Sequence, residues 1–182
     1  MAKLVAQTYG EALFEIAMEE NLSDIMLEEV QAIGDILKQN PDFDKMMLHP
    51  KISKIEKKDI MKNVFAGKVS NEMIGFLELV LSKERYVDLK DIFDYFVDKM
   101  KEEKKIGVAY VTTAAEISEE KKKVIENKLL ETTHYLKMEM HFAVDPELIG
   151  GMVIRIKDRV VDSSIRTKLA EIRKELLQIQ LG

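Results

Sequence analysis

The chain has 182 residues, of which 46% are hydrophobic and 34% charged, with a net charge of −5 at pH 7. This composition is typical of a folded globular protein. The net negative charge, with both signs interspersed along the chain, argues against nucleic acid as the main partner. The absence of cysteine excludes disulfides, thiolate metal sites and a cysteine nucleophile. No apolar run approaches the roughly 20 residues of a membrane span, and the N-terminus lacks signal-peptide features. We therefore expect a cytoplasmic chain without direct membrane insertion.

The first hundred residues are predicted to be helical nearly throughout. Ser23 is a candidate N-cap, and Asn40-Pro41 should end one helix and start the next, because proline suits a first helical turn. Ser53 and Glu56 have the spacing of a capping box. Five or six short helices with short links would form a bundle.

After the charged run at 101–105 the hydrophobic period changes from helical to alternating. The segment IGVAYVTTA is apolar on both faces, as in an inner strand, whereas LKMEMHFAV alternates as in a half-buried strand. A helix capped by Ser118 lies between them, and a hairpin turning at Asp158-Arg159 precedes a last helix from about Ser164. The order β-α-β-β-β-α predicts an α+β protein, with a helical domain at 1–105 and a small α/β domain at 106–182.

The glycines, histidines and carboxylates are the candidates for a catalytic or ligand-binding site. Gly150-Gly151 leads into a strand rather than a helix N-terminus, so it is predicted to be a bend before the strand and not a phosphate loop. His134 and His141 straddle a helix-to-strand junction, which gives no helical zinc-pair geometry, and His49 is expected at the surface. Acidic residues are spread along helix surfaces. We expect no catalytic residue, no cofactor site and no metal site.

Two helices carry more apolar surface than a bundle needs. In residues 4–18, one stripe contains Val5, Tyr9, Ala12, Leu13 and Ile16, and another contains Leu4, Phe14 and Met18. In MIGFLELVLS, Gly75 and Leu79 lie roughly opposite the stripe of Met73, Leu77 and Val80. A helix that is apolar all round is either fully buried or contacts a second partner. The residues alone leave both open: an unusually central helix, or a groove between the two helices that accepts a partner helix.

Three functions are compatible with this pattern. The chain could be an adaptor that joins other proteins, an enzyme or regulatory domain with a small ligand in its C-terminal half, or a helical scaffold whose groove closes a homodimer. The missing catalytic constellation counts against the second of these.

The two ends of the chain resemble a known family. TYGEALFEIA is similar to the YAxALxxxA opening of the delta subunit of F-type ATP synthases, whose mitochondrial counterpart is the oligomycin-sensitivity-conferring protein. Three positions depart from the family pattern. Tyr9 is followed by Gly10 where the opening has alanine. In the C-terminal signature, Lys157 stands where glycine is common and Ser163 where glycine is usual. The C-terminal signature follows Gly150 and Gly151 and is matched by Arg155, Ile156, Asp158, Val160, Asp162, Ser164, Arg166 and Leu169.

The resemblance implies a non-catalytic stator subunit that joins the catalytic head to the peripheral stalk, so that the head does not turn with the rotor. Its N-terminal six-helix bundle would receive an N-terminal helix of an alpha subunit between its first and fifth helices. Its C-terminal domain would hold the C-terminal region of the b subunits. The protein would be a monomer within the complex, at the cytoplasmic face of the bacterial cell membrane. The groove residues are predicted to be Val5, Tyr9, Ala12, Ile16, Gly75 and Leu79.

Two signature residues also have a predicted structural role. Asp162 precedes the last helix, where a carboxylate can cap free backbone amides. We therefore expect Asp162 and Arg166 to serve the fold of the C-terminal domain.

Overall fold

The computed structural model describes residues 2–179, with side chains from Lys3 to Leu177. The described residues fall into two compact units divided between Met100 and Lys101, slightly before the change of period in the sequence. No helix within residues 2–179 is long and apolar enough to cross a membrane.

The first unit is an all-helical bundle, as predicted. Its helices are α1 (Ala2–Glu19), α2 (Ser23–Gln39), α3 (Pro41–Leu48), α4 (Lys54–Phe65), α5 (Asn71–Ser82) and α6 (Leu89–Glu103), with a single 3-10 turn at Tyr86–Asp88 before α6. The last residues of α6 extend into the second unit.

Local capping explains where several of these helices begin. The capping box at α4 is confirmed: the Glu56 amide donates to Ser53 Oγ at 3.2 Å, and the Ser53 amide donates to Glu56 Oε2 at 2.9 Å. Pro41 starts α3, as predicted. The expected cap at Ser23 is wrong, because Ser23 is already the first residue of α2 and Leu22 precedes it without a side-chain cap.

A single hydrophobic core joins all six helices of the bundle. The apolar row of each helix points inwards, and fully buried side chains come from each of them: Leu13, Met26, Val30, Ile33, Met47, Met61, Phe65, Met73, Leu77, Ile92, Phe96 and Met100. Burial of this apolar area is the main term that stabilises the bundle.

The second unit is built on a four-stranded mixed sheet. Its strands are β1 (Ile106–Thr113), β2 (Lys137–Val144), β3 (Met152–Ile156) and β4 (Arg159–Asp162), in the order β2-β1-β3-β4. The helix α7 (Glu119–Thr132) connects the parallel pair β1 and β2, the other pairs are antiparallel, and α8 (Ile165–Ile179) follows β4. The predicted α+β class, the element order and the inner position of β1 are confirmed.

Candidate partner-binding surfaces

The first predicted groove wall lies on the flank of α1. The row that faces the core consists of Ala6, Gly10, Leu13 and Ala17, all buried. The row that precedes it by one residue at every turn consists of Val5, Tyr9, Ala12 and Ile16, of which Ala12 is exposed and the others are half-buried. Leu13 was predicted in the same stripe, but it is fully buried and belongs to the core. The row of Val5, Tyr9, Ala12 and Ile16, called the α1 row below, is a partly exposed apolar strip at the edge of the core.

The second predicted wall lies on α5. Met73, Leu77 and Val80 are buried, whereas Gly75 is exposed and Leu79 retains 45% of its accessible surface. The helix is therefore not buried on all sides in this chain. Apart from the adjacent residues and backbone of α5 itself, no described heavy atom lies within 4 Å of the position that a Gly75 Cβ would occupy. An interior helical glycine is less stable than alanine by roughly 0.5–1 kcal/mol, so nothing in the described packing explains this glycine.

A polar contact on the other side of the core row ties α1 to α6. A Cβ at Gly10 would overlap the Tyr95 ring and lie 3.2 Å from the Ile92 carbonyl oxygen, which explains glycine at this position. The Lys99 amine donates to Glu11 at 2.9 Å, and the Tyr95 hydroxyl donates to the same carboxylate at 2.8 Å. Lys99 first, and then Tyr95, hold the pKa of Glu11 below its usual value. These contacts involve residues outside the α1 row.

Gly151 is a steric necessity at the start of β3, and Gly150 packs against the side chain of Ile165. Gly151 has a φ of 76°, and a Cβ there would overlap the Ser163 carbonyl oxygen. A Cβ at Gly150 would lie 2.5 Å from Ile165 Cδ1, while the Gly150 carbonyl accepts a hydrogen bond from the Ile165 amide. The predicted bend is confirmed, and its purpose is to let the chain pass close to the beginning of α8.

Arg155 and Asp158 lie on the β3–β4 hairpin. The Arg155 guanidinium lies 4.9 Å from the centre of the Tyr110 ring on β1, and that ring stacks on His141 of β2. This cation–π and stacking ladder crosses three strands. Asp158 is exposed in the turn beside Lys157, which has a φ of 50°. The left-handed conformation at Lys157 occurs where the resembling family commonly has glycine.

The turn before α8 differs from the prediction. Ser164, and not Asp162, caps the helix, because the buried Ser164 Oγ accepts the Thr167 amide hydrogen at 3.2 Å. Asp162 supports this cap: its carboxylate accepts from the Ser164 amide at 2.8 Å and from the Thr167 hydroxyl at 2.7 Å. These bonds, the first of them above all, lower the pKa of Asp162. Arg166 lies 3.5 Å from Glu147 in a solvent-exposed ion pair.

An uncovered apolar face on α8 was not predicted from the sequence. None of its side chains from Ile165 to Leu177 is buried. The exposed residues Ile165, Leu169, Ile172 and Leu176 recur at helical spacing along one face. The helical period of this segment can be read from the sequence. The sequence does not show whether another element covers the apolar face.

A groove between α7 and the sheet adds a second open apolar surface to this unit. Its volume is about 900 Å³, and Val124, Ile125 and Leu129 of α7 face Ile154, Ile156 and Val161 across it. The C-terminal unit therefore presents two apolar surfaces that its own described elements do not fill.

The histidines make ordinary contacts. His141 stacks on Tyr110 with ring centres 4.9 Å apart, His134 lies against Tyr135, and His49 Nδ1 accepts the Lys51 amide hydrogen at 3.2 Å. Within residues 2–179, no group of three histidine, aspartate or glutamate side chains is arranged to hold a metal ion.

The chain is a helical bundle followed by a small α/β unit, and both units have apolar helix residues that remain exposed. Exposed apolar patches of this kind are typical of proteins that bind other proteins. Comparison with known proteins identifies the family. The model of the ATP synthase delta (OSCP) subunit family matches residues 5–176. The chain is 50% identical to the ATP synthase subunit delta of Lachnoclostridium phytofermentans over 182 residues, which is 100% of both chains. It is 37% identical to that of Desulforamulus reducens over 173 residues, with 95% of each chain covered.

The fold is also found in a solved assembly. A chain in the cryo-EM structure of the Toxoplasma gondii mitochondrial ATP synthase hexamer superposes with a TM-score of 0.75 at 19% identity, covering 94% of this chain and 97% of that one. The chain belongs to the ATP synthase delta (OSCP) subunit family. It is a structural, non-catalytic subunit that works within the ATP synthase complex and links the catalytic head to the peripheral stalk. This link keeps the head from turning with the rotor during ion-driven ATP synthesis.

Proposed function

We propose that the two units divide the linking task. Residues 1–105 bind the N-terminal helix of an alpha subunit between α1 and α5, and residues 106–182 bind the C-terminal region of the b subunit. The protein acts as a monomer within the complex, at the cytoplasmic face of a bacterial membrane.

Gly75 is the single observation that best supports the alpha-subunit groove. It is exposed in the middle of α5, and the space above it is empty, although alanine would stabilise a helix at such a position. A helical glycine with open space beside it leaves room for the close approach of another backbone. On α1, the exposed Ala12 is similarly small, and Tyr9 adds apolar area with a hydroxyl at its tip.

The test is titration of the full chain with a synthetic peptide from the N-terminus of the alpha subunit. Ala12→Asp and Leu79→Asp should each weaken binding at least tenfold, because a carboxylate would be buried without a partner in the closed interface. Their melting temperatures should stay close to that of the unaltered chain, since both positions are wet when unbound.

Met18→Asp is the matched control, because Met18 is 41% exposed and lies on the other side of α1. It should bind the peptide normally. Unfolding of the Ala12 and Leu79 variants would assign both positions to the core. Equal losses of peptide affinity in all three variants would exclude a groove between α1 and α5.

A separate capture experiment tests the joining role. Membranes of the same organism are solubilised in detergent and stripped of their own delta subunit. The tagged full chain is then added, and it should retain both head and stalk subunits. Retention of head subunits without b would refute the assignment of the C-terminal unit.

A further inference from the structure

Two helices of the bundle begin with the same kind of cap but complete it in different ways. Both α4 and α5 follow a serine whose Oγ accepts the amide hydrogen of the third helical residue, at 3.2 Å from Glu56 in α4 and at 3.3 Å from Met73 in α5. In α4, Glu56 also supplies the carboxylate that accepts the amide hydrogen of the serine, which completes a capping box. The third residue of α5 is a methionine, so α5 has no such carboxylate of its own.

Glu29 of α2 supplies the carboxylate that α5 lacks. The Ser70 amide donates to Glu29 Oε1 at 2.5 Å, and the Ser70 hydroxyl donates to Glu29 Oε2 at 2.8 Å, although the two residues are 41 positions apart. Both residues are half-buried. Hydrogen bonds to an ionised group are roughly twice as strong as neutral ones, and partial burial strengthens them further. Glu29 therefore holds the beginning of α5 against α2.

A carboxylate from another helix does more than a local capping box. A local box fixes where a helix begins, whereas Glu29 also fixes where α5 lies in the bundle. Glu29 is itself well anchored, because Val30 beside it is 2% exposed in the core. The apolar contacts of α5 with the core are non-directional, but hydrogen bonds depend on distance and angle. The two bonds of Glu29 therefore restrict sliding and rotation of α5 that apolar packing alone would tolerate.

The placement of α5 decides where its exposed face points. A helix turns once in about 3.6 residues, so the position of Ser70 sets the direction in which Gly75 and Leu79 face. These two exposed residues form the α5 wall of the proposed alpha-subunit groove. Binding is weaker when it must also order the surface that it uses. A wall held in place before the partner arrives avoids that cost.

We propose that Glu29 is a positioning residue for the alpha-subunit groove. It acts through Ser70 and α5 rather than on the partner directly, and it keeps Gly75 and Leu79 in the binding arrangement in the free chain. The inference rests on the proposed role of residues 1–105 and adds a residue outside the groove on which the affinity of the groove depends.

The first test is titration of the full chain with the alpha-subunit peptide, together with thermal melting of each free variant. Glu29→Ala should weaken binding about fivefold, because α5 is no longer held in place before binding. Glu56→Ala is the matched control, since it removes the corresponding carboxylate from the cap of α4. It should lower the melting temperature but change the affinity less than about twofold. Glu29→Gln keeps an oxygen that can accept one of the two hydrogen bonds, so it should restore most of the affinity.

A second test measures the position of α5 without any partner. The chain contains no cysteine, so Glu15→Cys on α1 and Glu72→Cys on α5 allow spin labels to be attached at two exposed positions. The distance distribution between the labels should be broader when Glu29→Ala is added, and it should be unaffected by Glu56→Ala. The alpha-subunit peptide at saturation should narrow the broadened distribution.

The outcomes separate positioning from general stability. Unchanged peptide affinity in Glu29→Ala, or equal losses in Glu29→Ala and Glu56→Ala, would show that the contact serves stability alone and would overturn the proposal. An unchanged label distance in Glu29→Ala would overturn it as well. If Glu29→Ala does not fold, the same comparison is made between Glu29→Gln and Glu56→Gln. Failure of the unaltered chain to bind the peptide would overturn the proposed groove, and the label distances would still decide whether Glu29 positions α5.

Discussion

The two units differ in how much of their apolar surface they cover themselves. The bundle buries large side chains from all six helices in one core. The C-terminal unit has a small buried cluster of Ala109, Tyr135 and Met138, and its last helix buries none of its described side chains. The bundle therefore has its own source of stability, whereas much of the apolar surface of the C-terminal unit is left open by its own described elements.

The largest expected effect contrasts one position from each unit. Phe96→Ala should destabilise the bundle by about 3–5 kcal/mol, because Phe96 is fully buried and its loss leaves a cavity. Leu169→Ala on α8 should change stability by less than about 0.5 kcal/mol, since surface substitutions rarely do more. Urea unfolding followed by circular dichroism measures both. Similar losses would show that α8 is as well packed as the bundle.

The next effect tests whether Gly151 is required for steric reasons. Gly151→Ala should destabilise the C-terminal unit by more than the roughly 1–2 kcal/mol of a left-handed residue, because the Cβ also overlaps the Ser163 carbonyl. Gly67→Ala is the matched control: Gly67 has a φ of 70° but no neighbouring atom within 4 Å. In thermal melting, Gly151→Ala should lower the melting temperature more than Gly67→Ala does. The reverse ranking would mean that the chain relaxes easily around Gly151.

Two helical glycines of the bundle should respond in opposite directions. Gly75→Ala should stabilise by about 0.5–1 kcal/mol, because open space surrounds the new methyl group and alanine favours the helix. Gly10→Ala should destabilise, because its methyl group meets the Tyr95 ring. Chemical denaturation gives the two signs. If Gly75→Ala stabilises the chain but weakens its binding of the alpha-subunit peptide, glycine at this position serves binding rather than folding.

The smallest effect concerns pH and the cap of α8. The pKa of Asp162 is lowered by its bonds to Ser164 and Thr167, so its ionised form stabilises the folded state. That contribution is present above the ordinary pKa of the group and is lost as the pH falls through its folded pKa, in the range below about pH 4. Asp162→Asn should therefore narrow the difference in melting temperature between neutral and acid pH. An unchanged difference would mean that Asp162 makes no such contribution in solution.

The position of α1 in the bundle shows where sequence reasoning stops. The helical period places Val5, Tyr9, Ala12, Leu13 and Ile16 in one apolar stripe of α1. The packing separates Leu13 from the others, because the core faces the row of Ala6, Gly10, Leu13 and Ala17. A small rotation of the helix decides this difference, and the side chains of the other helices set that rotation. The exposure of Gly75 and Leu79 likewise depends on what surrounds α5.

The sequence alone determined the features that depend on neighbours along the chain. Helical and alternating periods predicted the bundle, the order of the strands and the inner position of β1, and the Ser53–Glu56 spacing predicted the capping box. The C-terminal signature carried the family resemblance. These signals are local, because capping and side-chain period operate over a few residues.

Only the tertiary structure decided which apolar faces remain open. It assigned the cap of α8 to Ser164 and not Asp162, brought Gly10 against Tyr95, and left the apolar face of α8 uncovered by any described element. An apolar stripe has the same sequence pattern whether or not another element packs on it. The hydrophobic effect is non-directional, and the helical period shows only which residues share a face, not what covers that face. Whether that face is core or interface depends on elements far away in the sequence.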